Sequence, residues 1–191
     1  MYLLDLLRSK KIFVCILIVF AFSVFLLFLP LIGALGYEFS IIIAFLISFI
    51  SVFTSAEILN DFKKSTFVSS GVEDVLFSAL IINFIIILPA FLLGFIGSWF
   101  NGFCNFQDGL IFFILLPVIS LIFSTAIGSF SGLFFGNRGF IIGAIVLIFI
   151  LLFSLLQLYN NPHIFFYNSI IGYFPGPIYD KIIPITTTLI I

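Results

Sequence analysis

Five stretches of this sequence are apolar for about the ~20 residues a helix needs to cross the ~30 Å core of a bilayer. They lie at about 12–30, 39–58, 75–97, 110–135 and 140–158, and Glu57 is the one ionisable carboxylate among them. Hydrophobic residues make up 63% of the chain and charged residues 8%, against roughly 45–50% and ~25% in an ordinary globular domain. A soluble fold of this size still leaves about a third of its chain surface in water, so it has no room for this composition. The bilayer is therefore the main solvent, and the expected fold is all-α: a single polytopic helical membrane bundle over 1–191.

Beyond Leu158 the pattern changes. Residues 159–181 are dense in Tyr, Asn, Pro and Gly, with short apolar patches at Ile164–Tyr167 and Ile170–Phe174. Such a stretch is too broken for one spanning helix and suits a re-entrant or interfacial hairpin, tolerated where protein covers the backbone. Residues 182–191 are apolar for about half the length of a crossing and read as a partial sixth helix of a longer parent protein.

Basic residues set the orientation. Arg8, Lys10 and Lys11 precede the first run, Lys63 and Lys64 separate the second and third, and Arg138 separates the fourth and fifth. The alternate connections, 31–38 and 98–109, carry no Lys or Arg. With Lys181 the exception, the bias predicts a cytoplasmic N-terminus. Trp99, Tyr37, Tyr159, Tyr167, Tyr173 and Tyr179 fall on the opposite side, where amphipathic rings settle among headgroups. The first run is too long for a signal-peptide core and no small-x-small site follows it, so it reads as a retained signal-anchor. Low Ala with high Phe and Ile suggests an AT-rich bacterial genome, and a bacterial inner membrane is the expected location.

Several functions are disfavoured. The net charge of −1 gives no basic footprint for nucleic acid. One His and two Cys are too few for a metal site or a disulfide framework. Gly128-Ser-Phe-Ser-Gly132 does not fit G-x-S-x-G, and His163 is predicted on the other side of the membrane from Ser131. No G-x-x-x-x-G-K-[ST] loop occurs. No helix centre carries an Asp, Glu, Lys, Arg or His for proton coupling. We expect no catalytic, cofactor-binding or metal-binding residues, and no enzymatic activity.

The remaining candidates are polar or small. Ser124, Gly128, Gly132 and Gly136 recur at spacing four, and small residues at this spacing let membrane helices approach closely; Gly139 and Gly143 offer a facing surface. Asn83, within the third run, reads as an interhelical hydrogen-bonding residue. Glu57, near Asp61 and Lys63, reads as interfacial or Lys-paired. Pro89 and Pro117 fall inside helices, where each frees a carbonyl. Loop 59–74 is the longest polar stretch; its Lys63, Lys64, Glu73 and Asp74 suit either a solvated connection over anionic lipid or a docking element. Cys104, in the connection 98–109, has no partner facing it.

The layout resembles the membrane half of ABC-2-type export permeases in its cytoplasmic N-terminus, polar loop between the second and third helices, and interrupted segment before a sixth helix. The resemblance implies a permease-like subunit that exports an apolar or lipid-linked substrate without its own ATPase. It also implies a cytoplasmic ATPase partner for loop 59–74. The alternative is a non-catalytic membrane anchor or scaffold domain of a larger protein. Expected partners are the lipid bilayer and, beyond the ATPase, a second copy in a homodimer or a missing C-terminal domain.

Overall fold

A computed structural model describes residues 9–29, 32–64, 71–100, 106–160, 165–168 and 172–175. Arg8, the connections 65–70 and 101–105 (with Cys104), His163, Lys181 and the tail 182–191 lie outside them. The elements are α1 (Lys10–Leu27), α2 (Tyr37–Lys64), α3 (Val72–Phe100), α4 (Phe106–Phe113), a π-helical turn (Ile114–Val118), α5 (Ile119–Phe135), a 3-10 turn (Gly136–Arg138) and α6 (Gly139–Asn160). Two short strands follow, β1 (Phe165–Asn168) and β2 (Gly172–Pro175).

The helices overrun the apolar stretches at several ends. α2 continues through Asn60, Asp61, Lys63 and Lys64, and α3 begins at Val72, so much of the expected loop 59–74 is helical. Hydropathy marks the part of a helix that sits in hydrocarbon, whereas backbone hydrogen bonding carries the helix on into the interface. Four helical stretches among the described residues are long and apolar enough to cross a membrane: Lys10–Leu27, Tyr37–Lys63, Val72–Phe100 and Phe106–Ser154. The last is not straight. Gly136 ends α5 at φ 56°, ψ −122°, a conformation accessible chiefly to glycine, and α6 returns alongside α5 and α2.

Polarity is distributed the opposite way from a soluble protein. Phe13, Phe20, Leu92, Phe149 and Phe153 face outward, while Ser48, Ser55, Asn83, Ser124 and Thr125 are buried. In lipid there is no hydrophobic drive to bring helices together, so small and polar residues form the contacts. α2 is the central element, packed against α3, α5 and α6 and more lightly against α1. α1 rests chiefly on α3 through Ile12, Cys15, Val19 and Leu26 on its buried face.

Side-chain pairs fix which ends lie together. Lys11 pairs with Glu57, Asn60 Nδ2 donates to Asn137 Oδ1 at 3.0 Å, and Lys63 Nζ donates to the Leu133 carbonyl at 3.3 Å. The start of α1, the end of α2 and the 136–138 turn thus share one end of the bundle. Lys10, Lys11, Lys63 and Arg138 all belong to that end.

At the opposite end the connection between α1 and α2 folds inward. Ala34 and Leu35 are buried, and the Leu35 N–H donates to Ser98 Oγ at 2.8 Å. Gly97 and Gly109 lie against the carbonyl oxygens of Gly33 and Leu35, leaving no room there for a Cβ.

Pro89 is accommodated within α3 without ending it. Pro117 lies in the π-helical turn, where the hydrogen-bond pattern shifts around the missing N–H. The strands pair antiparallel, with Phe166 opposite Phe174 and Asn168 opposite Gly172. This ladder adds β structure to a chain expected to be all-α; it occurs where Gly and Pro break the helical pattern.

Candidate functional site

The buried polar cluster lies where α2, α3 and α5 meet. α2 carries Ser48, Ser51, Thr54 and Ser55 in two successive turns, and α5 carries Ser124, Thr125 and Ser129. Between them α3 contributes Asn83, fully buried. Its Nδ2 donates to Ser55 Oγ at 2.9 Å and to Thr125 Oγ1 at 2.8 Å. Its Oδ1 accepts from Thr54 Oγ1 at 2.5 Å. Both amide hydrogens are used and one side chain joins three helices. A buried amide left unmatched costs roughly 1–3 kcal/mol, so an Asn with both donors and its oxygen engaged is a strong determinant of this packing.

Other hydroxyls in the cluster bond within their own helix. Ser48 Oγ donates to the Ala44 carbonyl at 2.7 Å and Ser124 Oγ to the Ser120 carbonyl at 2.5 Å. The hydroxyls of Ser51 and Ser129 are buried without a hydrogen-bond partner among the described residues. Each stands four residues, one helical turn, from a member of the Asn83 network.

Close backbone approach accompanies the cluster. A Cβ built on Gly128 would stand 2.7 Å from the Val52 carbonyl oxygen, and one on Gly132 would stand 2.6 Å from that of Ala56. The small-residue stripe of α5 therefore meets α2 first. The Gly139–Gly143 surface takes a smaller share: a Cβ on Gly139 would lie 2.8 Å from Gly132 Cα, and one on Gly143 would lie 2.6 Å from Val52 Cγ1 and 2.9 Å from Ser131 Oγ. Ser124 is buried in the same seam, whereas Gly136, the last residue of the stripe, forms the turn.

No family model, curated protein or solved structure matches this chain.

The charged candidates lie apart from the cluster. Glu57 pairs with Lys11, 46 positions earlier in the chain. Lys63 is exposed and holds the end of α5. Glu73 and Asp74 occupy the first turn of α3, where carboxylates complement the helix dipole, and Asp74 Oδ2 accepts from the Gly71 N–H at 3.3 Å. Lys64 is the last residue of α2. Thr54 and Ser55 are the interacting residues that sequence reasoning passed over. Their sole signal was a high density of Ser and Thr in apolar runs, which gives no partner.

Proposed function

We propose that this chain is a five-crossing membrane scaffold, a rigid helical platform whose exposed ends meet other components. Five crossings follow from treating 106–135 and 139–160 as separate spans joined at Gly136. The Lys and Arg at the Lys11–Glu57 end support a cytoplasmic N-terminus by the positive-inside rule. The ladder fits a re-entrant hairpin: β2 lies beside the π-helical turn, which begins ~12 Å along the helix from Phe106 at ~1.5 Å per residue.

The Asn83 network carries the scaffold reading. Opening a path between α2 and α5 requires breaking the bonds of Asn83 to both, and the glycine contacts beside it leave no slack. Hydrogen–deuterium exchange of the full chain in nanodiscs tests this. Uniform strong protection of residues 51–59 and 121–133 is expected, and two interconverting populations of these peptides would overturn it.

A second reading, the permease-like subunit of an ATPase-driven exporter, draws support from the hydroxyls of Ser51 and Ser129, buried without a partner among the described residues. These could exchange partners with the Asn83 network as helices move. Under that reading, adding the cytoplasmic ATPase with nucleotide produces the two exchange populations, and a charge reversal at Lys63 and Lys64 abolishes them.

A further inference from the structure

A groove of about 590 Å³ opens between α1, α2 and the start of α6. Its floor and walls are apolar: Val14 and Ile18 from α1, Phe49, Ile50 and Phe53 from α2, and Phe140 from α6. Lys10 and Lys11 stand at its mouth. Phe53 and Phe140 meet edge to face at 5.2 Å and close its far wall. The groove exists because α1 rests mainly on α3 and so leaves its seam with α2 partly open. A second apolar hollow of about 420 Å³, lined by Phe22, Ile42 and Phe45 among others, continues along the same two helices. From Lys10 to Phe22 the seam follows α1 for ~18 Å at ~1.5 Å per residue, close to the ~15 Å depth of one leaflet's hydrocarbon.

We propose that this seam holds one anionic phospholipid of the leaflet facing the Lys10 end, an acyl chain lying along α1 and α2 and the phosphate against Lys10. Length and polarity select the occupant. An apolar trough one leaflet deep with ammonium groups at its rim matches an amphiphile with a long tail and a negative head. Lys11 is engaged by Glu57, and Lys10 is exposed and in no ion pair among the described residues. Asp61 also lies within electrostatic reach of Lys11, so the preference rests on Lys10. A zwitterionic lipid fills the trough equally well but gains nothing from the uncompensated charge. The inference does not depend on whether the chain is a scaffold or a permease subunit.

Native mass spectrometry of the full chain in nonionic detergent, with equimolar palmitoyl-oleoyl phosphatidylglycerol and phosphatidylcholine, tests it. One bound phosphatidylglycerol is expected, favoured about fivefold, the effect of one ammonium beside an anionic headgroup. Lys10→Gln removes the preference, and Lys63→Gln, outside the groove, keeps it. Ile18→Trp, which fills the trough, lowers retention of both lipids. Dihexanoyl phosphatidylglycerol, with the head but short tails, is not retained, an arm that needs no variant to fold. Excess inorganic phosphate leaves the bound lipid in place. Equal retention of the two long-chain lipids, a preference that survives Lys10→Gln, or displacement by phosphate would overturn the proposal.

Discussion

Thr54 on α2 and Asn83 on α3, both buried, are joined by a 2.5 Å hydrogen bond from hydroxyl to amide oxygen. The nitrogen of that amide donates to Ser55 and Thr125, so Asn83 links α2, α3 and α5. Replacing it tests how much that link contributes. Interhelical hydrogen bonds in membranes average ~0.6 kcal/mol each, so Asn83→Ala, losing three, is expected to destabilise the bundle by about 2 kcal/mol. Steric-trap or denaturant unfolding in bicelles reads this directly. A loss below about 0.5 kcal/mol would mean that the three hydroxyls re-pair without Asn83.

The glycines of α5 differ in what surrounds them, and the difference predicts an order. A methyl group on Gly132 runs into the Ala56 backbone, with its carbonyl oxygen at 2.6 Å and Cα at 2.8 Å. One on Gly143 meets chiefly the side chains of Val52 and Ser131, which can turn away. Gly132→Ala is therefore expected to cost about 1–3 kcal/mol, the usual range for overpacking, and Gly143→Ala less. Equal losses measured by the same unfolding assay would contradict a seam built on backbone contact.

Gly136 is constrained by conformation more than by space. Its φ of 56° and ψ of −122° lie where an L-residue carries strain, about 1–3 kcal/mol. Gly136→Ala is expected to destabilise the α5–α6 hairpin by that amount even though the nearest atom to an added Cβ, Asn60 Oδ1, is 3.4 Å away. Unfolding of the variant beside Asn137→Ala, which removes only the Asn60 contact, separates strain from the lost hydrogen bond.

The Lys11–Glu57 pair is expected to matter little for stability. Its side chains are 58% and 30% exposed, and ion pairs in such settings contribute ~0–1 kcal/mol. Lys11→Gln should shift unfolding by less than about 0.5 kcal/mol, with any change shrinking as salt is raised. A loss of several kcal/mol would show that the pair is sealed from solvent.

The sequence showed the membrane class, the approximate helices and the grouping of basic residues because each depends on local composition. Asn83 stood out as an amide in an apolar run, but its partners lie 28, 29 and 42 positions away, and no local pattern encodes such separations. The stripe of α5 was legible as small residues at spacing four. Which helix it faces was not, since α2 also carries small residues at that spacing (Ser40, Ala44, Ser48 and Ala56), and composition does not choose between them and Gly139 with Gly143. The inward fold of Gly33–Leu35 was hidden because a Gly-rich connection reads as exposed. Its burial depends on Ser98 taking the Leu35 N–H and on glycines at 97 and 109 making room. The ladder was legible only as a break in helical pattern, because pairing register is a property of two segments together.

Cysteine accessibility most directly tests the five-crossing account. In a background with Cys15 and Cys104 replaced by Ser, single cysteines at Lys63, Trp99 and Asn137 are labelled with a membrane-impermeant maleimide from each side of sealed vesicles. The account predicts that Lys63→Cys and Asn137→Cys react from one side, and Trp99→Cys and a fourth single cysteine, Asn160→Cys at the end of α6, from the other. Labelling of Asn160→Cys from the same side as Asn137→Cys would contradict it, because α6 would then not return through the membrane after Gly136.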